Sequence, residues 1–361
     1  MRQKLLDQAA ELHTRALDLR GAGNLRAAEA ACRQAARLFE RCAGKASADA
    51  AHAEVEWAEM VELRGDLAGA ATLLARASRR LSGHVAAVAP APEILDLSLR
   101  ARMDAARVAQ LRGRYRDADK RCRATLLWAR AHQGRGRVAA ALTALGVLRK
   151  AQGRYAEALA LYRQAMVILR AQRGPRAGDL ATLYHNLAGS EHARGRFAVA
   201  EEHARRGLAI RRRAFGPDDP GVIADEAALA PILDGLGKRA EAERLYLRAL
   251  AYYLRRYGRA SYEVAVTLAN LGALCRNRGD LAQAEGYLRR GLAIEETLLG
   301  PRHPELALSL SNLGNVLAAR GQRRAARTIY QRALRIFAAS VGPRHPHFLG
   351  CKRNLHELDQ D

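Results

Sequence analysis

The chain has 361 residues, 60 Lys and Arg against 37 Asp and Glu, a formal net charge of +23 and only 5% aromatic residues. Its five cysteines, Cys32, Cys42, Cys122, Cys275 and Cys351, form no CxxC pair and no even framework, which argues against a zinc site and a disulfide scaffold. The amino terminus carries no signal-peptide core and the longest nearly apolar run, Val138 to Leu148, is far too short to span a bilayer, so a cytoplasmic protein without membrane insertion is expected. Arginine supplies 54 of the basic residues and lysine six, a skew that, with the abundance of alanine, resembles a GC-rich coding bias. A field this positive still attracts acidic proteins, nucleic acid or anionic membranes with little selectivity.

Alanine and leucine dominate while isoleucine and valine are sparse, which favours helix over strand. A period organises the whole chain. Glycine recurs at Gly23, Gly65, Gly113, Gly153, Gly195, Gly237, Gly279 and Gly321, in steps of 42, 48, 40, 42, 42, 42 and 42 residues. Five residues after each stands an alanine, from Ala28 and Ala70 through Ala118, Ala158, Ala200 and Ala242 to Ala284 and Ala326. Such a register identifies a repeat array rather than two or three globular domains.

In chain order, residues 1–81 read as two divergent helical hairpins. Residues 82–97 form a Pro/Ala-rich connection, because Pro90 and Pro92 cannot lie inside a helix. Residues 98–345 read as six hairpins and 346–361 as a polar capping helix that closes the open end of the array. Within each unit a first amphipathic helix ends at the glycine, where positive φ is needed, and a second starts about three residues later. A large apolar residue follows two after most of the glycines (Leu25, Leu67, Tyr115, Tyr155, Phe197, Leu281), with Arg239 and Arg323 as exceptions. The sixth hairpin carries Pro231 in the middle of its first helix, which predicts a kinked or shortened helix.

Small residue, leucine, glycine turn, aromatic and alanine together resemble the tetratricopeptide repeat. From about residue 138 the proline loops Gly300-Pro301-Arg302-His303-Pro304 and Gly342-Pro343-Arg344-His345-Pro346, and more loosely Gly216-Pro217-Asp218-Asp219-Pro220, resemble the kinesin light chain variety of that repeat. The resemblance implies an all-α, right-handed α-solenoid of about eight helix-turn-helix hairpins plus a C-terminal capping helix. It also implies that the first helix of each hairpin lines a concave surface. On that basis the groove presents Lys150 and Thr143 from the fourth hairpin, then Thr182, His185, Asn186, Gly189 and His192 from the fifth. Val266, Ala269, Asn270, Ala273 and Arg276 come from the seventh, and Leu308, Ser311, Asn312, Asn315 and Ala318 from the eighth. The asparagines Asn186, Asn270, Asn312 and Asn354 are each followed by leucine, and Ala228 interrupts their ladder. An asparagine amide can pair with both backbone groups of an extended peptide lying across it. The same amides could instead bond neighbouring helices and hold the superhelix.

No Ser/His/Asp order, paired carboxylates, HExxH or phosphate-cradling loop appears, so neither an enzyme nor a cofactor is expected. His185 and His192, seven residues apart, are too distant to share one zinc ion without further ligands. The histidines of the RHP loops repeat with the period and are expected to be structural. Charge divides the groove, with Glu56, Glu59 and Glu62 toward one end and Arg100, Arg107, Lys150 and Arg276 beyond, so a bound segment would be acidic toward the carboxyl-terminal hairpins and basic toward Glu56 to Glu62. Arginines of the second helices, among them Arg205, Arg211, Arg212, Arg289 and Arg332, belong on the convex face, where phosphate contact is conceivable but no stacking aromatics accompany them. The leading expectation is a non-catalytic scaffold that binds an extended, acidic segment of a protein partner. The alternatives are a peptide-responsive regulator of a bacterial signalling or defence system, and a basic solenoid associating with nucleic acid.

Overall fold

The computed structural model describes residues 2–22, 24–132, 134–172, 177–340, 342–343 and 345–360, with the side chain of Pro304 left out. Gly23 and Arg344, read above as a turn and a loop position, lie outside the described residues. The described residues form seventeen helices and no strand. They run α1 (Arg2–Gly21), α2 (Leu25–Ala43), α3 (Ala48–Leu63), α4 (Leu67–Val85), α5 (Pro92–Leu111), α6 (Tyr115–Ala131) and α7 (Arg135–Ala151). Then come α8 (Tyr155–Arg170), α9 (Ala177–Ala193), α10 (Phe197–Phe215), α11 (Pro220–Gly235), α12 (Arg239–Tyr257), α13 (Tyr262–Arg278), α14 (Leu281–Leu299), α15 (Pro304–Ala319), α16 (Arg323–Ser340) and α17 (Pro346–Gln360). This is an all-α solenoid of eight hairpins and a final cap. Two compact units divide it, Met1–Ala144 and Leu145–Asp361, with the boundary inside α7. Residues 86–91, in the connection singled out by its prolines, join α4 to α5, and Pro92 is the first residue of α5, where its missing N–H costs nothing. No helix among the described residues is long and apolar enough to cross a membrane.

Local chemistry fixes the ends of each hairpin. Seven turn glycines, Gly65 to Gly321, hold φ between 71° and 91°, a region costly for any residue with a Cβ. At Gly279 the turn closes with Gly279 N–H on Arg276 O and Asp280 N–H on Cys275 O, both at 3.0 Å, and the same pair of bonds recurs at Gly153 and Gly195. Each second helix starts two residues after its glycine, one earlier than the sequence suggests. The residue before the loop proline is a helix cap. Asp219 accepts from Gly221 N–H at 2.9 Å, and His303 and His345 accept through Nδ1 from Glu305 and His347 N–H at 3.3 and 3.2 Å. The loop histidines are therefore structural at that nitrogen.

Helix pairs approach closely because small residues face each other. All eight register alanines, Ala28 to Ala326, are completely buried. Seven residues before the turn, a glycine accommodates a large side chain from the second helix: a Cβ on Gly146 would stand 2.4 Å from Tyr162, on Gly314 2.5 Å from Tyr330 and on Gly272 2.6 Å from Leu288. Gly314→Ala is accordingly expected to lower stability by about 1–3 kcal/mol through overpacking against Tyr330. Denaturant titration would show it as an earlier midpoint, and an unchanged midpoint would mean that Tyr330 gives way without strain.

Pro231 neither ends nor shortens its helix: α11 keeps 16 residues, as many as α15. A mid-helix proline forfeits one backbone bond and crowds one carbonyl, and here Leu229, Ala230, Ile232 and Leu233 remain buried around it. Packing thus outweighs the local penalty, and the expectation of a shortened helix is corrected.

The arginines of the second helices are less free than their sequence positions suggest. Arg248 of α12 donates to Pro217 O at 2.9 Å and to the fully buried carboxylate of Glu226, which Arg212 also contacts. Arg332 of α16 binds Pro301 O at 3.3 Å and the carboxylate of Glu296. Arg80 of α4 binds Lys45 O, Glu40 at 2.8 Å and the buried Glu54 at 3.0 Å. In each case a convex arginine braces the loop that leads into its own hairpin, and Arg80 and Arg248 also offset carboxylates, Glu54 and Glu226, that burial would otherwise penalise.

Candidate binding groove

In unit 2 the first helices stand side by side: α9 touches α11, α11 touches α13, α13 touches α15 and α15 touches α17, with no comparable contact between successive second helices among the described residues. The row of first helices is therefore the concave side. Asn186 on α9, Asn270 on α13 and Asn312 on α15 are half-buried along it. Among the described residues none of these three amides makes a hydrogen bond, so their donors and acceptors are free. The fourth asparagine differs. Asn354 Nδ2 donates to Asn315 Oδ1 at 2.7 Å, and the Tyr330 hydroxyl donates to the same oxygen at 2.7 Å. Both Asn315 and Asn354 thus hold the cap against α15, which is the structural role the ladder could have had throughout.

His185 is fixed rather than free. Its Nδ1 lies 3.0 Å from Asp225 Oδ1 on α11, and Asp225, only 7% exposed, accepts from Arg211 Nε through its other oxygen at 2.7 Å. Arg276 rests on the neighbouring Asn277 side chain, with Nη2 3.0 Å from Oδ1, and Asn277 in turn bonds Asp234. Asp225 and Asp234 are the partners of these side chains that sequence reading missed. Both sit on α11, the hairpin set aside for its missing asparagine.

Lys150 at the end of α7 is the outstanding group. Its ammonium lies 2.7 Å from where a Cβ on Gly189 would stand, so the absence of a side chain on α9 makes its room. It is half-buried and, among the described residues, has no carboxylate partner or hydrogen bond. Burial holds its pKa below the usual lysine value. His192, one helical turn past Gly189, packs its ring edge-on to Phe197 at 5.5 Å. Burial lowers its pKa, the Lys150 charge adds to the effect, and a hydrogen bond with the Pro231 carbonyl opposes both. This corner is electropositive and short of anions.

Unit 1 offers the opposite situation. Glu56 and Glu59 on α3 each lie 2.7 Å from Arg20 on α1, Arg100 on α5 contacts both, and Arg107 contacts Glu62. Burial still pushes the Glu62 carboxyl up to about 7 despite Arg107. The expectation that these glutamates receive basic ligand residues is corrected: their charges are already spent on arginines of the neighbouring helices.

Sequence profiles described as tetratricopeptide repeat match residues 141–177, 179–255 and 263–339. Among solved structures, a Rap protein complexed with competence and sporulation factor superposes with a TM-score of 0.59 at 15% identity, covering 85% of this chain and 87% of that one. NprR in complex with its cognate peptide NprX gives 0.58 at 16%, covering 85% and 82%. BtubC (BKLC) from P. vanneervenii is 29% identical over 64% of this chain and 94% of its own, with a TM-score of 0.49. A search of curated proteins finds no match. At these identities the Rap and NprR likenesses establish the fold.

Proposed function

From a chain that belongs to the tetratricopeptide repeat family, we infer a non-catalytic adaptor that captures an extended segment of a partner protein in the groove of unit 2. The observation that carries this reading is the set of three unbonded amides, Asn186 on α9, Asn270 on α13 and Asn312 on α15, along one concave row that α11 interrupts with Ala228. Their amide atoms stay within reach of solvent, so in the free protein they are hydrated and open to a ligand backbone that takes the place of that water. An extended backbone supplies N–H and C=O groups along its length, so it can bond the amides with little dependence on side-chain identity. Lys150 adds selectivity: an ammonium with restricted hydration and no counter-ion favours a carboxylate, which makes the segment acidic where it passes α7 and α9.

A short free peptide satisfies the same chemistry, and the Rap and NprR structures named above hold a factor and a peptide in similar folds. Small-angle scattering separates the two readings, since an adaptor keeps its radius on binding and a peptide-responsive regulator contracts. Nucleic acid is the weaker reading for the principal partner: Arg205, Arg211, Arg212, Arg289 and Arg332 of the second helices are each paired with a carboxylate, whereas among the described residues Arg213, Arg290 and Arg335 are not. The decisive experiment is affinity capture from cells with wild type and with Asn186→Ala, Asn270→Ala and Asn312→Ala combined. Partners retained by wild type should be lost from the variant. Undiminished capture by a correctly folded variant would overturn the reading.

A further inference from the structure

Unit 2 meets itself at residues far apart in sequence. His345, in the loop before α17, places Nε2 2.6 Å from the carbonyl oxygen of Ala151, the last residue of α7, 194 residues away. Beside it, Pro346 Cγ comes within 2.7 Å of where a Cβ on Gly153 would stand. The principal helix contacts of the unit run only between sequence neighbours and next-but-one helices. The His345 contact therefore returns the far end of the array to its beginning.

Both partners have one valence to spare. His345 Nδ1 accepts from His347 N–H at 3.2 Å, so the ring proton resides on Nε2, which donates to Ala151 O. At the end of α7 the turn consumes the neighbouring carbonyls: Leu148 O takes Gln152 N–H, Arg149 O takes Arg154 N–H and Lys150 O takes Gly153 N–H. Ala151 O remains as an orphan of the helix terminus. His345 satisfies it. The equivalent loop histidine, His303, caps α15 in the same way, yet its Nε2 has no hydrogen-bond partner among the described residues. The far-reaching bond is thus specific to the last loop.

We propose that the His345–Ala151 contact is a clasp that closes unit 2 around its groove and opens to admit an extended segment. Among the described residues it is the one hydrogen bond between residues 342–360 and α7 or α8, which is thin enough to open readily. Lys150, which carries the unpaired ammonium, is the residue adjacent to the clasped carbonyl. A segment seated on Lys150 would lie beside the closure and be encircled when it forms. The part of the proposal that concerns a ligand rests on the function inferred above, whereas the clasp itself does not.

The test uses the full chain with Cys42→Ser and spin labels at Ala156→Cys and Leu349→Cys, two exposed positions flanking the contact. Wild type should give a predominantly short distance. His345→Asp should raise the long-distance fraction about five-fold, the value of one ordinary hydrogen bond. Aspartate retains an acceptor that caps α17, as Asp219 caps α11, but has no donor for Ala151. His345→Asn, whose donor is too short to reach, is read in the same way should the aspartate variant misfold. A long distance in wild type, or identical distributions in wild type and variant, would overturn the clasp. Because this readout needs no ligand, its failure is separate from any failure of the asparagine ladder, which the capture experiment reports.

Discussion

At pH 8, Glu295→Gln is expected to stabilise the fold by roughly 3 kcal/mol, and at pH 5 by less than about 1 kcal/mol. Glu295 on α14 is 2% exposed; one oxygen accepts from the Ser309 hydroxyl at 3.1 Å and the other has no partner among the described residues. Among the described residues no arginine pairs with it, and the charges that act on it, Glu305 and Glu296, are of its own sign. Burial pushes its carboxyl up to about 7. The folded pKa lies above the unfolded one, so the native state holds a proton that the unfolded chain releases. Stability therefore falls as pH rises from about 4.5 toward 7 and levels off above it. One register earlier and later the position holds Tyr253 and Phe337, both buried rings. A glutamate stands where neighbouring hairpins place aromatics. Denaturant midpoints of wild type and Glu295→Gln across pH 5–8 check this: converging curves at low pH are expected, and parallel curves would show that Glu295 does not titrate in this range.

Lys150→Met is expected to separate stability from binding. Removing a half-buried ammonium that no carboxylate offsets should leave the melting temperature unchanged or raise it, since methionine fills similar space without the desolvation cost. A charge-assisted bond to a ligand carboxylate contributes about 1.5–3 kcal/mol, so affinity for an acidic partner segment should fall about 10- to 150-fold. Calorimetry with a partner-derived peptide and with its Asp/Glu-to-amide counterpart supplies the check. Wild type should discriminate between the two peptides and the variant should not. Equal loss of affinity for both peptides would place Lys150 in the packing of the groove rather than in recognition of charge. Gly189 belongs to the same argument, because any side chain there competes with the ammonium for its room.

The parts of the molecule that could be read from the sequence are those written locally. A turn glycine, an alanine five residues later and a proline that starts the next helix each act within one helix end, and the helices begin and end accordingly. Asn186, Asn270 and Asn312 were equally open to reading, because a free side chain depends only on which face its helix presents. Pairs that close across hairpins were not. Asn315 and Asn354 look like members of the same ladder in sequence, and only the Tyr330 hydroxyl between them shows that they are consumed by the cap. The glutamates of α3 read as an acidic surface because their arginine partners lie 36 to 45 residues away in sequence. Pro231 misled for the opposite reason: its penalty is local, and the burial of the residues around it is not.

The arginine braces have a further implication for how such a chain can change in length. Arg80 and Lys45 O are 35 residues apart, and Arg248 with Pro217 O and Arg332 with Pro301 O are each 31 apart. Each donor and the carbonyl it holds fall inside one period of the array. A duplication or deletion of a whole period would therefore carry both halves of the loop support with it and sever neither, making the hairpin a portable cassette.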